Sequence, residues 1–400
     1  MAIDFPQVRE QIKKLGETAL EQEHALEEKR IRAVGLLELH AGNLEKLRAK
    51  VQRVTQEFDR HIRCAMPPDL AWRTPEPLDA HFPAPAMPTQ ALVLAADGSQ
   101  IAPDRHQPVR YCLINVGGIS IRYGQALPPT VQVKSQLFYG EQLFTQTGTL
   151  TESALALRRD LHERQMLLEL ASATTLPVVS FTDGPMELWG PREVESQGEF
   201  RKSLAEYLDT LRQLEQREIT TAGYVDNPMA DLVVRMLEIA SATESDLSNL
   251  RSYQPLRGVA DTSLFRNILA PGERSAIFAL QSPSAEDYQD QLSLHFFYLN
   301  VGREGRPWLA RVEIPAWVAG DPARLDLLHA CLMDQCRILG AQPYPYALHR
   351  AHEVAVVSLQ EKDQVTEMIA LELRRRGVGV GEKSHKQYHK DQPGRASYRG

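Results

Sequence analysis

Leu92-Val93-Leu94-Ala95-Ala96-Asp97-Gly98 and Val178-Val179-Ser180-Phe181-Thr182-Asp183-Gly184 decide the fold. Each is a short apolar run that ends in Asp-Gly. Short continuous apolar runs bounded by turn residues suit strands buried on both faces. The first strand is expected over 91–96, closing in Asp97-Gly98-Ser99, and the last over 177–181. Between them, Tyr111 to Val116 reads as a second strand and the alternating stretch Val131 to Tyr139 as a third. Residues 151–174 read as a helix.

The order is therefore β-β-β-α-β. This is the opening of a ribonuclease-H-like (Piwi-like) α/β fold, with a mixed sheet core in which three antiparallel strands precede a helix and a parallel central strand. Farther along, 193–218 and 229–241 read as helices with a strand at 221–225. Residues 242–292 are irregular and mixed. His295–Val301 and Trp308–Ile314 alternate like a hairpin. Helices are expected over 322–339, 344–357 and 360–376, the last with Ser358 and Glu361 at capping-box spacing.

An Asp-Gly pair taken alone is more often a turn than a site. Two of them at the ends of adjacent central strands would bring two carboxylates together. Like charges so placed repel unless a cation lies between them. Oxygen donors of this kind suit a hard divalent metal. The intervening helix offers Glu152, Glu163 and Glu169 as a third acid. Glu152 follows Thr149 at capping-box spacing, which gives it a local job. Glu169 has polar helical neighbours. Glu163 has Leu167 and Leu170 at i+4 and i+7, so it turns toward the core edge. A charge there is costly without a partner. Glu163 is preferred and Glu169 kept as the alternative. On the helix at 344–357, Tyr344, Leu348, His352 and Val356 fall on one stripe. A histidine on such a stripe is more often a packed core residue, but imidazole also suits manganese-like metals and proton transfer. His349 lies one position off.

The chain has 400 residues and a net charge of −7. That balance excludes a uniformly basic nucleic-acid coat, so nucleic-acid contact must be local. No apolar run is long enough to cross a bilayer, which predicts no membrane association. Four scattered cysteines form no CxxC pair. A cytoplasmic location follows as the expectation. Residues 1–65 carry 12 Lys/Arg and 11 Asp/Glu. Val8, Ile12, Leu15 and then Leu44, Leu47, Val51, Val54, Phe58 and Ile62 recur at helical spacing, which suggests long charged helices in a hairpin around Gly35 or Gly42, serving as a structural arm or a dimerisation coil. Seven prolines in 66–90 predict an extended linker. The body is expected over 91–381, with an insertion at roughly 190–292. Residues 382–400 carry five Lys/Arg against two acids and read as a flexible basic tail.

Together these stretches resemble the NurA nuclease family. The resemblance is carried by Ala96-Asp97-Gly98-Ser99, Leu113 to Gly117, Arg159 to Glu163, Thr182-Asp183-Gly184, Ala222 to Val225, Phe265 to Ser275, Arg311 to Pro315, and Pro343 through His352. It implies a metal-dependent deoxyribonuclease that prefers Mn2+ (or uses Mg2+). It implies 5′–3′ exonuclease and single-strand endonuclease action on single- and double-stranded DNA ends, in end resection and repair beside a HerA-type hexameric helicase/ATPase. A homodimer is also expected. Metal and catalytic roles are implied for Asp97, Glu163, Asp183 and His352, with Tyr344 nearby. Two departures stand out. Pro185-Met186-Glu187-Leu188 follows the second Asp-Gly, where a small residue and Leu often follow in the family. Gly223-Tyr224-Val225-Asp226 has no lysine where some members carry one.

DNA contact is expected from Arg158 and Arg159 near the site and from Lys383, Lys386 and Lys390 in the tail, with simple solubility as the tail's other reading. Two rival functions remain. Ribonuclease-H-like cores also serve ATPases and sugar-kinase-like enzymes, for which Val116-Gly117-Gly118-Ile119 is the one faint phosphate-loop candidate. A non-catalytic adaptor for a DNA motor is the other.

Overall fold

The structure is a computed structural model and describes residues 3–70, 73–104, 109–145, 148–171, 174–188 and 197–381. The chain divides into two compact units. One comprises Met1–Pro88, Gly184–Glu187 and Thr220–Pro345; the other comprises Thr89–Asp183, Leu188–Ile219 and the chain from Tyr346 onward.

The second unit carries both aspartates of the Asp-Gly motifs. Its strands are β1 (Ala91–Ile101), β2 (Cys112–Tyr123), β3 (Thr130–Phe138) and β4 (Val178–Asp183). β1 pairs antiparallel with β2, and β2 antiparallel with β3. β4 lies parallel beside β1. Helix α1 (Glu152–Leu170) joins β3 to β4 and packs on β1 and β2. Helix α2 (Gln197–Gln216) packs on α1. Helix α3 (Tyr346–Ala355) also packs on β1 and β2. Helix α4 (Leu359–Arg375) lays Val365 and Ile369 against Ile101, Tyr111 and Leu113. Three antiparallel strands, a helix and a parallel strand beside the first make this a ribonuclease-H-like α/β fold with a mixed sheet.

Two neighbouring glycines show which helix covers which face. A methyl at Gly117 would stand 2.5 Å from Val354 Cγ2 and 2.7 Å from the Ala351 carbonyl, both on α3. One at Gly118 would stand 2.8 Å from Leu170 and Met166 side-chain atoms of α1. Successive strand residues point to opposite faces, so α1 and α3 sandwich the sheet. Glycine inside a strand commonly marks such a close approach.

Three local readings are corrected. β1 does not stop at Asp97: the ladder continues as Asp97↔Gly117, Gly98↔Val116 and Ser99↔Asn115. Only the second Asp-Gly is a turn, with Gly184 at φ +84°. The N-cap of α1 is Thr151, whose hydroxyl accepts from the Ala154 amide at 3.2 Å, and not Thr149. Helix α3 starts at Tyr346, so Tyr344 precedes it. Pro345 disfavours helical backbone at the residue before it. The Ser358/Glu361 capping box is present, with both reciprocal bonds formed.

The other unit has an antiparallel sheet in the spatial order Cys64–Met66, Phe278–Gln281, Leu294–Asn300, Leu309–Pro315, Thr220–Asp226. The expected hairpin is its centre, and both of its strands are buried throughout. Two strands of the irregular stretch, Arg274–Ser275 and Phe278–Gln281, flank it. The N-terminal helix runs unbroken from Phe5 to His40, through Gly35, and the chain turns before the Leu44–Arg53 helix. Val8, Ile12 and Leu15 are exposed, whereas Leu47, Val51, Val54 and Ile62 are buried.

The described part of the proline-rich stretch turns at Pro77–Ala80, where the Ala80 amide donates to the Pro77 carbonyl, and it is anchored through Glu76. Glu76 accepts from both terminal nitrogens of Arg274, at 3.1 and 3.0 Å, and from the Ile277 amide at 3.0 Å. It also pairs with Arg73. The Arg274 guanidinium lies 4.0 Å from the centre of the Phe82 ring. The departure after the second Asp-Gly has a structural account. The Met186 amide donates to Glu313 at 2.8 Å. Buried Glu187 is held by Arg63 and Ser284.

Candidate active site at the end of the central strands

Asp97, Gly98 and Ser99 are consecutive on β1, and each meets a different neighbour. Asp97 Oδ2 lies 2.7 Å from His352 Nδ1 on α3, and its Oδ1 accepts from the Gly98 amide at 2.8 Å. Ser99 donates to the Ala355 carbonyl at 2.5 Å and accepts from the Val357 amide. Asn115 Nδ2 donates to the same carbonyl at 2.8 Å. The C-terminal end of α3 is thus tied to the sheet by two polar residues. Gly117, opposite Asp97, has no side chain to hold that helix away. These constraints bring His352 to Asp97.

On the other face, Gly98 opens room for α1. A methyl there would stand 2.6 Å from Arg159 Cγ and 2.8 Å from Glu163 Oε1. Glu163 is buried, at 5% exposure. Burial, together with the charges of Asp160 and Asp97, pushes its carboxyl well above the ordinary value, against the pull of Arg159. Glu169, the alternative acid, pairs with Lys134 at 2.5 Å on the surface of α1. Asp183 closes β4. The register pairs Ala96 with Thr182, so the next residues, Asp97 and Asp183, share one face of neighbouring strands.

Arg159 is the pairing that sequence reading missed. Its Nε and Nη2 donate to Asp160 Oδ1 at 3.2 and 2.8 Å, and Nε also lies 3.3 Å from Glu163 Oε1. Burial works against its charge, but Asp160, Glu163 and Asp97 hold its pKa above the ordinary value. The i,i+4 spacing of Arg159 and Glu163 was the available signal. Arg158 lies 3.6 Å from Glu199 and 5.6 Å from the centre of the Phe138 ring. His349 lies 3.6 Å from Glu353. Tyr344 belongs to the other unit, where its ring packs edge-on to Tyr224 at 5.6 Å. Lys383, Lys386 and Lys390, with the whole expected tail, lie outside the described residues.

The donor chemistry suits a hard divalent cation: two carboxylates on neighbouring strands, a buried third beside Gly98, and an imidazole. The spacing is not closed. Among the described residues, no three His, Cys, Asp or Glu side chains stand close enough to hold an ion. The Arg159 guanidinium meets Glu163 instead. The residues fit in kind, Asp97 and Asp183 share a face, and a bound ion would require side-chain adjustment to bring Glu163 to them.

The faint phosphate-loop candidate is corrected. Gly117 and Gly118 lie within β2, with helices against both faces, and form no loop. Among the described residues, no helix is long and apolar enough to cross a membrane.

The chain is similar in structure to the NurA nuclease from Sulfolobus solfataricus, at 10% identity over 92% of this chain and 98% of that one, with a TM-score of 0.49. It is also similar to the catalytic domain of human Endonuclease V, at 14% identity over 82% of this chain and 98% of that one, with a TM-score of 0.32. Drosophila Piwi is similar at 12% identity over 66% of this chain and 29% of that one, with a TM-score of 0.29. No curated protein matches the sequence. The NurA domain model matches residues 91–357, more than half of the chain, and the chain belongs to the NurA domain family.

Proposed function

We propose that this protein is a metal-dependent DNA nuclease that hydrolyses phosphodiester bonds at DNA ends. The observation that carries the reading is the Asp97–His352 pair on the central strand, with Asp183 in register beside it and Glu163 at the same strand end. Family membership supports it.

Asp97, Asp183 and Glu163 would hold Mn2+ or Mg2+, with His352 as a further ligand or proton carrier. When bound, such an ion lowers the pKa of an attacking water and neutralises charge on the phosphate. His352 is positioned by Asp97 through Nδ1, and its side chain is 62% exposed. That leaves Nε2 as the ring nitrogen able to move a proton at the attacking water or the leaving oxygen.

The test is release of nucleotides from end-labelled linear duplex, and nicking of circular single-stranded DNA, with Mn2+, Mg2+ or EDTA. Mn2+-dependent release that EDTA abolishes is expected. Equal release in EDTA, or none with either metal, would contradict the reading. Action beside a HerA-type hexameric ATPase belongs to the same proposal. It predicts that the motor stimulates end degradation when both proteins are present. A homodimer and a reducing, cytoplasmic setting complete it. The four cysteines are free and buried, as such a setting allows.

A further inference from the structure

We propose that Arg159 is a built-in counter-cation of the carboxylate site, and that a divalent ion binds by displacing its guanidinium from Glu163. The inference rests on the metal reading given above.

Glu163 is buried, and a buried carboxylate needs a cationic partner or a proton. Arg159 Nε supplies that partner at 3.3 Å. The same guanidinium is shared with Asp160, which it meets through two nitrogens. The two acids differ in surroundings: the Glu163 side chain is 7% exposed and that of Asp160 40% exposed. Arg159 itself is 31% exposed, so its head reaches water. Its stem passes close over Gly98, where an added methyl would stand 2.6 Å from Arg159 Cγ. A rotation about the end of that stem would take the guanidinium off Glu163 and leave it on Asp160. Asp160 thus provides a resting place for the displaced charge at the edge of the site. The head would then lie on the solvent side, where a phosphate approaches.

An ion of charge +2 brought near Glu163 and Asp97 is repelled by a guanidinium held among them. Solvent screening at the partly exposed guanidinium reduces that repulsion, so removing the positive charge should tighten metal binding about tenfold. The competition sets metal affinity without any contact between Arg159 and the metal.

Calorimetric titration of the full chain with MnCl2 tests this, comparing wild type with Arg159→Gln and Arg159→Lys. Glutamine keeps a donor for Glu163 and loses the charge; lysine keeps the charge. The expected order of Mn2+ affinity is glutamine variant above wild type by about tenfold, with the lysine variant near wild type. The Mn2+-induced rise in melting temperature should follow the same order. Unchanged or weaker binding in Arg159→Gln, with wild type binding normally, overturns this inference and leaves the nuclease reading standing. No Mn2+ binding by any of the three overturns both. Binding only in Arg159→Gln supports displacement in its strongest form.

Discussion

Asp97 and His352, 255 residues apart in sequence, meet at 2.7 Å between Oδ2 and Nδ1. The contact exists because β1 carries the aspartate, Gly117 opposite it lacks a side chain, and Ser99 and Asn115 tie down the end of α3. A carboxylate on one ring nitrogen fixes the tautomer and aims the other nitrogen.

His352→Ala should therefore lower DNA cleavage by about 10²- to 10⁴-fold, the usual range for a general acid or base. The exposed side chain contributes little packing, so the melting temperature should barely move. A variant that cleaves at the wild-type rate would remove His352 from the chemistry.

The two strand glycines should respond differently to alanine. At Gly117 the added methyl meets α3 backbone, at 2.7 Å from the Ala351 carbonyl and 2.8 Å from the Ala355 amide nitrogen. Backbone cannot step aside cheaply, and a cost of about 1–3 kcal/mol is expected from overpacking. Cleavage should fall further than stability, because the helix that moves carries His352. At Gly98 the methyl meets the Arg159 and Glu163 side chains, which can shift. Urea unfolding should rank Gly117→Ala as the less stable; the reverse ranking would contradict the docking account.

Much of this site was legible in the sequence. The apolar runs that end at Asp97 and Asp183 are short-range patterns, and so is the inward turn of Glu163 set by Leu167 and Leu170. The helical stripe named His352, but of its members within the helix Leu348 is buried and His352 exposed, and the helix ends at Ala355, before Val356. Tyr344 was drawn into the same stripe because the periodicity took no account of Pro345, which bars the helix from reaching back that far. What stayed hidden depends on distances between elements. Gly117 and Gly118 look like a loop fragment until two helices are seen against them. Arg159 looks like a free phosphate contact until Asp160 and Glu163 are seen to hold it. The short strands at 274–275 and 278–281 carry too few residues for periodicity to show, and only their partners define them.

Removing Glu76 should be severe although it lies in a proline-rich stretch. Arg274 is 3% exposed, and Glu76 accepts from both of its terminal nitrogens. Glu76→Ala leaves that guanidinium buried without its carboxylate, at a cost of about 3–5 kcal/mol. Urea titration with a loss under about 1 kcal/mol would show that water replaces the carboxylate there.

Acid should weaken the fold through His295 and His329. Burial pushes both down to about 4 from an ordinary value of 6.5. Between those values the unfolded chain binds more protons than the native one. Their contribution is therefore intact above pH 6.5 and is lost as pH falls toward 4, by about 3 kcal/mol per histidine at most. Asp261 acts the other way. Burial raises it from 3.8 to about 6, so its burial weakens the fold as pH rises through that window. Urea unfolding at pH 7.5 and pH 5 should show a smaller loss in His329→Gln than in wild type. An equal loss would place the acid sensitivity elsewhere.

The acids at the strand ends carry the proposed chemistry most directly. The measurement is Mn2+-dependent degradation of end-labelled linear DNA by wild type, Asp97→Asn and Asp183→Asn, each checked by circular dichroism for an intact fold. Loss of cleavage in both folded variants is the predicted result. Wild-type cleavage by either folded variant would contradict the assignment of that aspartate, and by both would contradict the site.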